Sequence, residues 1–205
     1  MMQINYKPHT DRLEKVHQQV AELLTRLPSG IFYHTIDHTI DPAKGVVAMT
    51  NFHALREEFS PTDRELAVVS AYCHDLGYLH QMTKNEPIGA QIAAEILPGC
   101  GYNSSEIAVV QVPILDTEVP THPRNRLSEV VCDADVDNLG REDFFDLGEL
   151  LRQEVGVKDQ KAWYQGSIKF LEGHRYYTPS AQELRNEGKI RNLQKLYGLI
   201  NNGGK

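Results

Sequence analysis

ELAVVSAYCHDLGY, residues 65–78, is apolar on almost every side of a helix until it reaches His74 and Asp75. A helix that is apolar all round is a buried one, so the stretch predicts a core helix carrying an ionisable pair at its end. Ser60-Pro61 supplies the start signal, a serine N-cap followed by proline at the first helical position. An unpaired polar group in such a place costs roughly 2–7 kcal/mol, and a charge costs more. His74 and Asp75 therefore need a partner. A divalent cation is an efficient one, because neutral imidazole and ionised carboxylate both coordinate it. The plainer alternative is a helix C-cap in which Asp75 accepts local hydrogen bonds and His74 is a satisfied core residue.

The same period of 3.6 recurs on both sides of this stretch. From Thr10 or Asp11 as N-cap, Leu13, Val16, Val20, Leu23, Leu24 and Leu27 keep the helical spacing until Pro28-Ser29-Gly30 stops it. Asp41-Pro42 reads as the start of a helix that continues through VVAMTNFHALREEF, residues 46–59. Further helices are read at residues 87–97, 105–115, 125–139, 142–154, 158–172 and 179–200. Sustained apolar/polar alternation and an Asn-Gly or Asp-Gly hairpin between apolar runs are both missing. The expectation is an all-α, single-domain helical bundle. Residues 1–30 form an N-terminal helix packed on a domain of residues 31–200, and residues 201–205 form a disordered tail.

Composition narrows the function. The 205 residues are 40% hydrophobic and 24% charged, with a formal net charge of −7. That charge disfavours nucleic acid as a partner and leaves small ligands open. No apolar run approaches the length of a membrane span, and MMQINYKPHT lacks the apolar core of a signal peptide. A cytoplasmic location follows as an expectation. Cys73, Cys100 and Cys132 form no CxxC pair and sit in or beside apolar segments, which suits reduced core thiols.

Two further segments carry ionisable groups. FYHTIDHTIDP, residues 32–42, sets His34 and His38 four apart, on the loop or short turn that feeds the helix expected at Asp41-Pro42. In NRLSEVVCDADVDNLG, residues 125–140, Leu127, Val130, Val131 and Ala134 form one face. At about 100° per residue, Asp135 lies about 80° from the centre of that face, Asp137 about as far on the other side, and Asp133 about 120° away. Asp135 or Asp137 can reach the core more readily than Asp133. A solvated acidic helix end is the alternative for each.

Taken together, His38, His74-Asp75 and Asp135 occur in the order of the signature of the HD-domain metal-dependent phosphohydrolase superfamily, and the chain resembles that family. YHTIDH, residues 33–38, is similar to its YHxxxH segment. HDLGY followed by NEPIGAQIAAEIL, residues 85–97, resembles the HDxxY…NExxSAxxA run of small predicted HD hydrolases. DTEVPTHP, DADVDNLG, LRQEV and IRNLQKL echo later segments of that subgroup, so the likeness covers about Ile31 to Tyr197. Gly89 stands where that pattern has serine, Val155 where it has tyrosine and Val136 where it has leucine.

The resemblance implies an HD-type helical bundle and a phosphohydrolase, either phosphatase or phosphodiesterase. His38, His74, Asp75 and Asp135 would hold one divalent metal (Mn, Fe, Co, Ni, Mg or Zn), with Asp75 counted among the catalytic residues. His34 would be the general acid toward the leaving oxygen. An imidazole with an ordinary pKa of about 6.5 can carry that proton near neutrality. The substrate would be small and phosphorylated, nucleotide-like or a phosphometabolite. A second metal would need His80, His122 or Glu86. Glu86, Lys84, His122, Arg152 and Arg191 are the candidates for contact with substrate, and Asn85 for orienting it or a ligand histidine. Two other readings remain: a non-catalytic metal- or nucleotide-binding module, and a metal-dependent hydratase or oxygenase.

Overall fold

The stretch that opens the sequence reading is the axis of the molecule. The structure, a computed structural model, describes residues 4–202. Among them are ten α-helices and no strand: α1 (Asp11–Leu24), α2 (Ile36–Ile40), α3 (Val46–Arg56), α4 (Pro61–Cys73), α5 (Glu86–Ile96), α6 (Ser104–Asp116), α7 (Arg126–Asp135), α8 (Phe144–Glu154), α9 (Gln160–Gly173) and α10 (Pro179–Asn202). Single 3₁₀ turns follow α4 at Leu76–Leu79, α5 at Leu97–Cys100 and α7 at Asp137–Gly140.

In α4 every residue from Leu66 to Cys73 is buried. It is surrounded by α1, α3, α6 and α7, and each fully buried valine or leucine there contributes roughly 1.5–3 kcal/mol. The cap is the expected one, with Ser60 Oγ accepting the Asp63 N–H. Thr10 caps α1 in the same way, accepting the Leu13 N–H. Leu13, Val16, Val20 and Leu24 of α1 lie in the same apolar cluster as α4.

A second apolar cluster, built on Leu139, Phe144, Ile168, Leu171, Tyr176, Ala181 and Leu196, holds α8, α9 and α10 around the 137–140 turn. There the backbones of Gly140 and Gly188 touch: a Cβ on Gly188 would lie 1.9 Å from the Gly140 carbonyl oxygen. No helix among the described residues is long and apolar enough to cross a membrane.

Several expected boundaries move. α3 begins at Val46 rather than at Asp41-Pro42, because the Asp41 carboxylate accepts the Ala43 and Lys44 N–H groups and makes a turn of its own. That turn folds back on itself at Gly45, whose Cβ would sit 2.6 Å from the Asp41 nitrogen. α1 stops at Leu24, short of Leu27. α7 ends at Asp135 instead of running on to Leu139. α10 extends to Asn202, so Asn201 and Asn202 are helical rather than part of the expected tail; residues 203–205 lie outside the described residues.

Candidate metal centre

Three interruptions of helical structure bring the ionisable side chains together. α4 ends at Cys73, and Asp75 departs from helical geometry at φ −100°, ψ 5°. Neighbours on a continuous helix point about 100° apart; the break lets His74 and Asp75 face one point. α7 breaks at Val136, φ −101°, ψ 22°, which sends Asp135 and Asp137 to different partners. His38 comes from α2, a single short helix, and His34 from the loop before it.

The donors converge closely. His38 Nε2 lies 3.1 Å from Asp135 Oδ1, 3.4 Å from Asp75 Oδ2 and 3.4 Å from His74 Nε2. His74 Nε2 lies 3.1 Å from Asp75 Oδ2 and 3.3 Å from Asp135 Oδ1. These are two nearly equilateral triangles sharing the His38–His74 edge. An ion seated at about 2.0–2.2 Å, the usual bond length for a transition metal on nitrogen or oxygen, reaches all three corners of either.

The chemistry of the donors fits as well. His74 Nδ1 donates to the Ala71 carbonyl at 2.8 Å, which fixes the tautomer of the neutral ring and turns the Nε2 lone pair into the cluster. Asp75 Oδ2 is buried and accepts no hydrogen bond. Burial opposes ionisation of Asp75 and Asp135, yet His74 and then His34 hold the Asp75 carboxyl, and His38 and then His74 the Asp135 carboxyl, below the usual range. Burial likewise opposes charge on His74, and Asp75, then Asp135, raise its pKa well above the ordinary value. The pocket is thus a strongly anionic one that calls for positive charge.

His34 stands beside it, its ring 5.6 Å from that of His38 and 4.8 Å from that of Tyr33. Its Nδ1 is hydrogen-bonded to Glu154 Oε1. Glu154 Oε2 also accepts the backbone N–H groups of Phe32 at 2.8 Å, Tyr33 at 2.8 Å and His34 at 3.2 Å. On the other side the Tyr78 ring stacks on the imidazole at 4.2 Å, with its hydroxyl 3.2 Å from His34 Nε2. Burial lowers the pKa of His34, but Asp75 and then Glu154 more than reverse this and raise it.

No protein-family model matches the chain, and no curated protein matches it. Its fold does have a solved counterpart, the crystal structure of a "predicted HD superfamily hydrolase" from an uncultured Thermotogales bacterium. The two superpose with a TM-score of 0.63 over 94% of each chain at 17% identity. The chain has an HD-type fold. In that fold the expected helical bundle and the expected order of His38, His74-Asp75 and Asp135 meet in one place.

The other expected site residues divide. Glu86, at the start of α5, is half-buried with Oε2 unpaired, and burial, with Glu118 and Asp75 nearby, raises its pKa. Asn85 is buried, its amide donating to Glu86 Oε1 at 3.3 Å and its Oδ1 unpaired. Arg152 is not at the centre: it forms a bidentate pair with Glu149 and donates to the Val157 carbonyl, closing the C-terminal end of α8. Arg191 is also elsewhere, exposed on α10 and paired with Glu187. Lys84, with φ 53°, is exposed, as are His80 and His122. None of these three makes a side-chain hydrogen bond to the cluster among the described residues.

Asp133 corrects the face argument. It is fully buried, accepting the N–H groups of Tyr177 and Thr178, each at 2.8 Å, and the Thr178 hydroxyl at 2.7 Å. Asp137 is buried too, bidentate with Arg185 at 2.6 and 2.8 Å. The side of α7 expected to face solvent is covered by α10 and the loop before it, a packing no local period reveals. Glu154, which holds His34 and the backbone of 32–34, is not among the expected site residues. Its only sequence signal is the acidic position of LRQEV, residues 151–155, within the segment that resembles the family.

Proposed function

We propose that the chain is a metal-dependent phosphohydrolase of the HD superfamily, acting on a phosphate ester of a small soluble substrate. The observation that carries the reading is the buried, unpaired Asp75 Oδ2 among the nitrogens of His38 and His74, with the imidazole of His34 one ring away. His38, His74, Asp75 and Asp135 would hold one divalent cation, and Mn, Fe, Co, Ni, Mg and Zn all accept such nitrogen and oxygen donors. When bound, the cation supplies Lewis acidity, lowering the pKa of a water and polarising a phosphoryl oxygen.

The remaining work falls to the chain's own side chains. With both ring nitrogens protonated, His34 donates through Nδ1 to Glu154 and through Nε2 to the Tyr78 hydroxyl. A leaving oxygen that replaces the Tyr78 hydroxyl receives the Nε2 proton as the ester bond breaks. Glu154 keeps the ring oriented and favours its charged form, the same service a carboxylate gives a catalytic imidazole elsewhere. The net charge of −7 argues against nucleic acid and for a small substrate, and a cytoplasmic setting is part of the same proposal.

The test is a panel of phosphomonoesters and phosphodiesters assayed on chelator-treated protein with each divalent metal in turn. Hydrolysis restored by at least one metal is the expected result. A protein that binds metal by elemental analysis yet hydrolyses nothing would instead be a non-catalytic binding module.

A further inference from the structure

A cavity of about 470 Å³ opens on His38 and Asp135. Its volume is that of a small-molecule site. We infer that this cavity holds the body of the substrate, and that the body is uncharged and ring-bearing, so the substrate carries a single phosphoryl group. This rests on the phosphohydrolase reading and adds the substrate class to it.

One wall is apolar: Phe32, Ile36, Leu147 and Leu150. Phe32, Ile36 and Leu150 are 45%, 38% and 37% exposed, a cluster of large apolar side chains left in water beside a charged centre. Single exposed apolar residues are ordinary, but a group of them lining a concavity is the mark of a ligand site. The backbone that carries Phe32 is held by its N–H donating to Glu154 Oε2 at 2.8 Å. A flat ring fits between such side chains better than a flexible polar chain does.

The charged lining residues limit what else the cavity accepts. Beside His38 of the metal centre, the basic lining residues are Lys44 and Arg141, against Asp37, Asp41, Asp135 and Asp137. Both cations are already engaged. Arg141 Nε donates to Asp143 Oδ1 at 2.8 Å and Nη1 to the Lys44 carbonyl at 3.1 Å, and Lys44 Nζ lies 3.3 Å from Asp143 Oδ2. Both are thus neutralised by Asp143, and Asp137 by Arg185, so the lining offers no unpaired lysine or arginine. A second or third phosphoryl group would carry its charge into a wall with no cation free to meet it. The cavity meets the metal centre at His38 and Asp135, and the His34 ring is 5.6 Å from that of His38, so a phosphoryl group held at the centre would leave the body attached to it in the cavity.

The experiment compares one nucleoside as its mono-, di- and triphosphate, together with glycerol phosphate, on Mn²⁺-loaded protein. Both kcat/KM and calorimetric affinity are measured. The monophosphate is expected to exceed the triphosphate by about tenfold or more in each. Leu150→Ala and Leu147→Ala should raise KM and Kd for the nucleoside monophosphate by about 5- to 30-fold, the effect of losing apolar contact in a pocket, and leave glycerol phosphate within about twofold. A triphosphate handled as well as the monophosphate, or variants that affect both esters alike, would overturn the inference. If nothing is hydrolysed with any metal, the phosphohydrolase reading falls, and the calorimetric ranking of mono- over triphosphate still decides the cavity.

Discussion

The imidazole of His34 and the carboxylate of Glu154, 120 residues apart in the chain, form one hydrogen-bonded unit with the 32–34 backbone. Glu154→Gln keeps an acceptor for the N–H groups but removes the charge that favours the imidazolium. It should therefore slow poor leaving groups by roughly 10–100-fold and 4-nitrophenyl phosphate by much less, part of the 10²–10⁴ a general acid contributes. Glu154→Ala should in addition cost about 2–4 kcal/mol of stability, read by denaturant melts, since it strands buried donors. Equal slowing of all esters by Glu154→Gln would refute the positioning role.

His34 and His38 should separate on replacement. His38→Ala removes one of four converging donors and should lose metal after dialysis, measured by elemental analysis. His34→Ala should retain metal and lose roughly 10²–10⁴ in turnover, with the loss shrinking on nitrophenolate leaving groups. Metal content that falls equally in both would make His34 a ligand or a structural residue.

Asp133 and Asp135, two residues apart on α7, should give opposite results. Asp135→Asn should lose metal and activity while altering little else. Asp133→Ala should keep metal yet destabilise by about 2–4 kcal/mol, because two backbone N–H groups and the Thr178 hydroxyl lose a buried acceptor. Loss of metal from Asp133→Ala with stability intact would reverse the assignment.

His53 predicts acid sensitivity. It is fully buried, with Nδ1 2.9 Å from Ser180 Oγ, and burial, then Arg185 and Arg56, push its pKa down to about 3. The unfolded chain binds a proton near pH 6.5 that the folded chain refuses until about pH 3. Its share of stability is therefore full above pH 6.5 and drains away as pH falls through that window. At pH 5 the loss is about 2 kcal/mol relative to pH 7. His53→Leu should flatten this part of the pH–stability curve by that amount; an unchanged slope between pH 7 and 5 would show that His53 does not drive it.

Much of this protein is legible in its residue order. The buried character of α4 follows from a run that is apolar on all sides, and Ser60-Pro61 marks its start because a serine cap and a fixed proline φ are local matters. The pairing of His74 with Asp75 is read from the same run, since an ionisable pair at the end of a core helix must find compensation. These inferences need only neighbours within one or two turns of chain.

What the sequence leaves open are relations across distance. The helical face alone narrows the acidic cluster to Asp135 or Asp137 and only the family signature picks Asp135; the physical choice falls to a break at Val136 that directs Asp135 to the histidines and Asp137 to Arg185. It turns Asp133 toward solvent, whereas α10 and the loop before it cover that side. The sequence offers Arg152 as a phosphate contact, whereas its guanidinium is turned to Glu149 and the carbonyls of 157 and 158. It is silent on Glu154, whose partners lie some 120 residues away. Helical period and capping are set by hydrogen bonds between near neighbours, so sequence alone determines the helices. Which side chains share a centre depends on how those helices pack, and only the tertiary structure decides that.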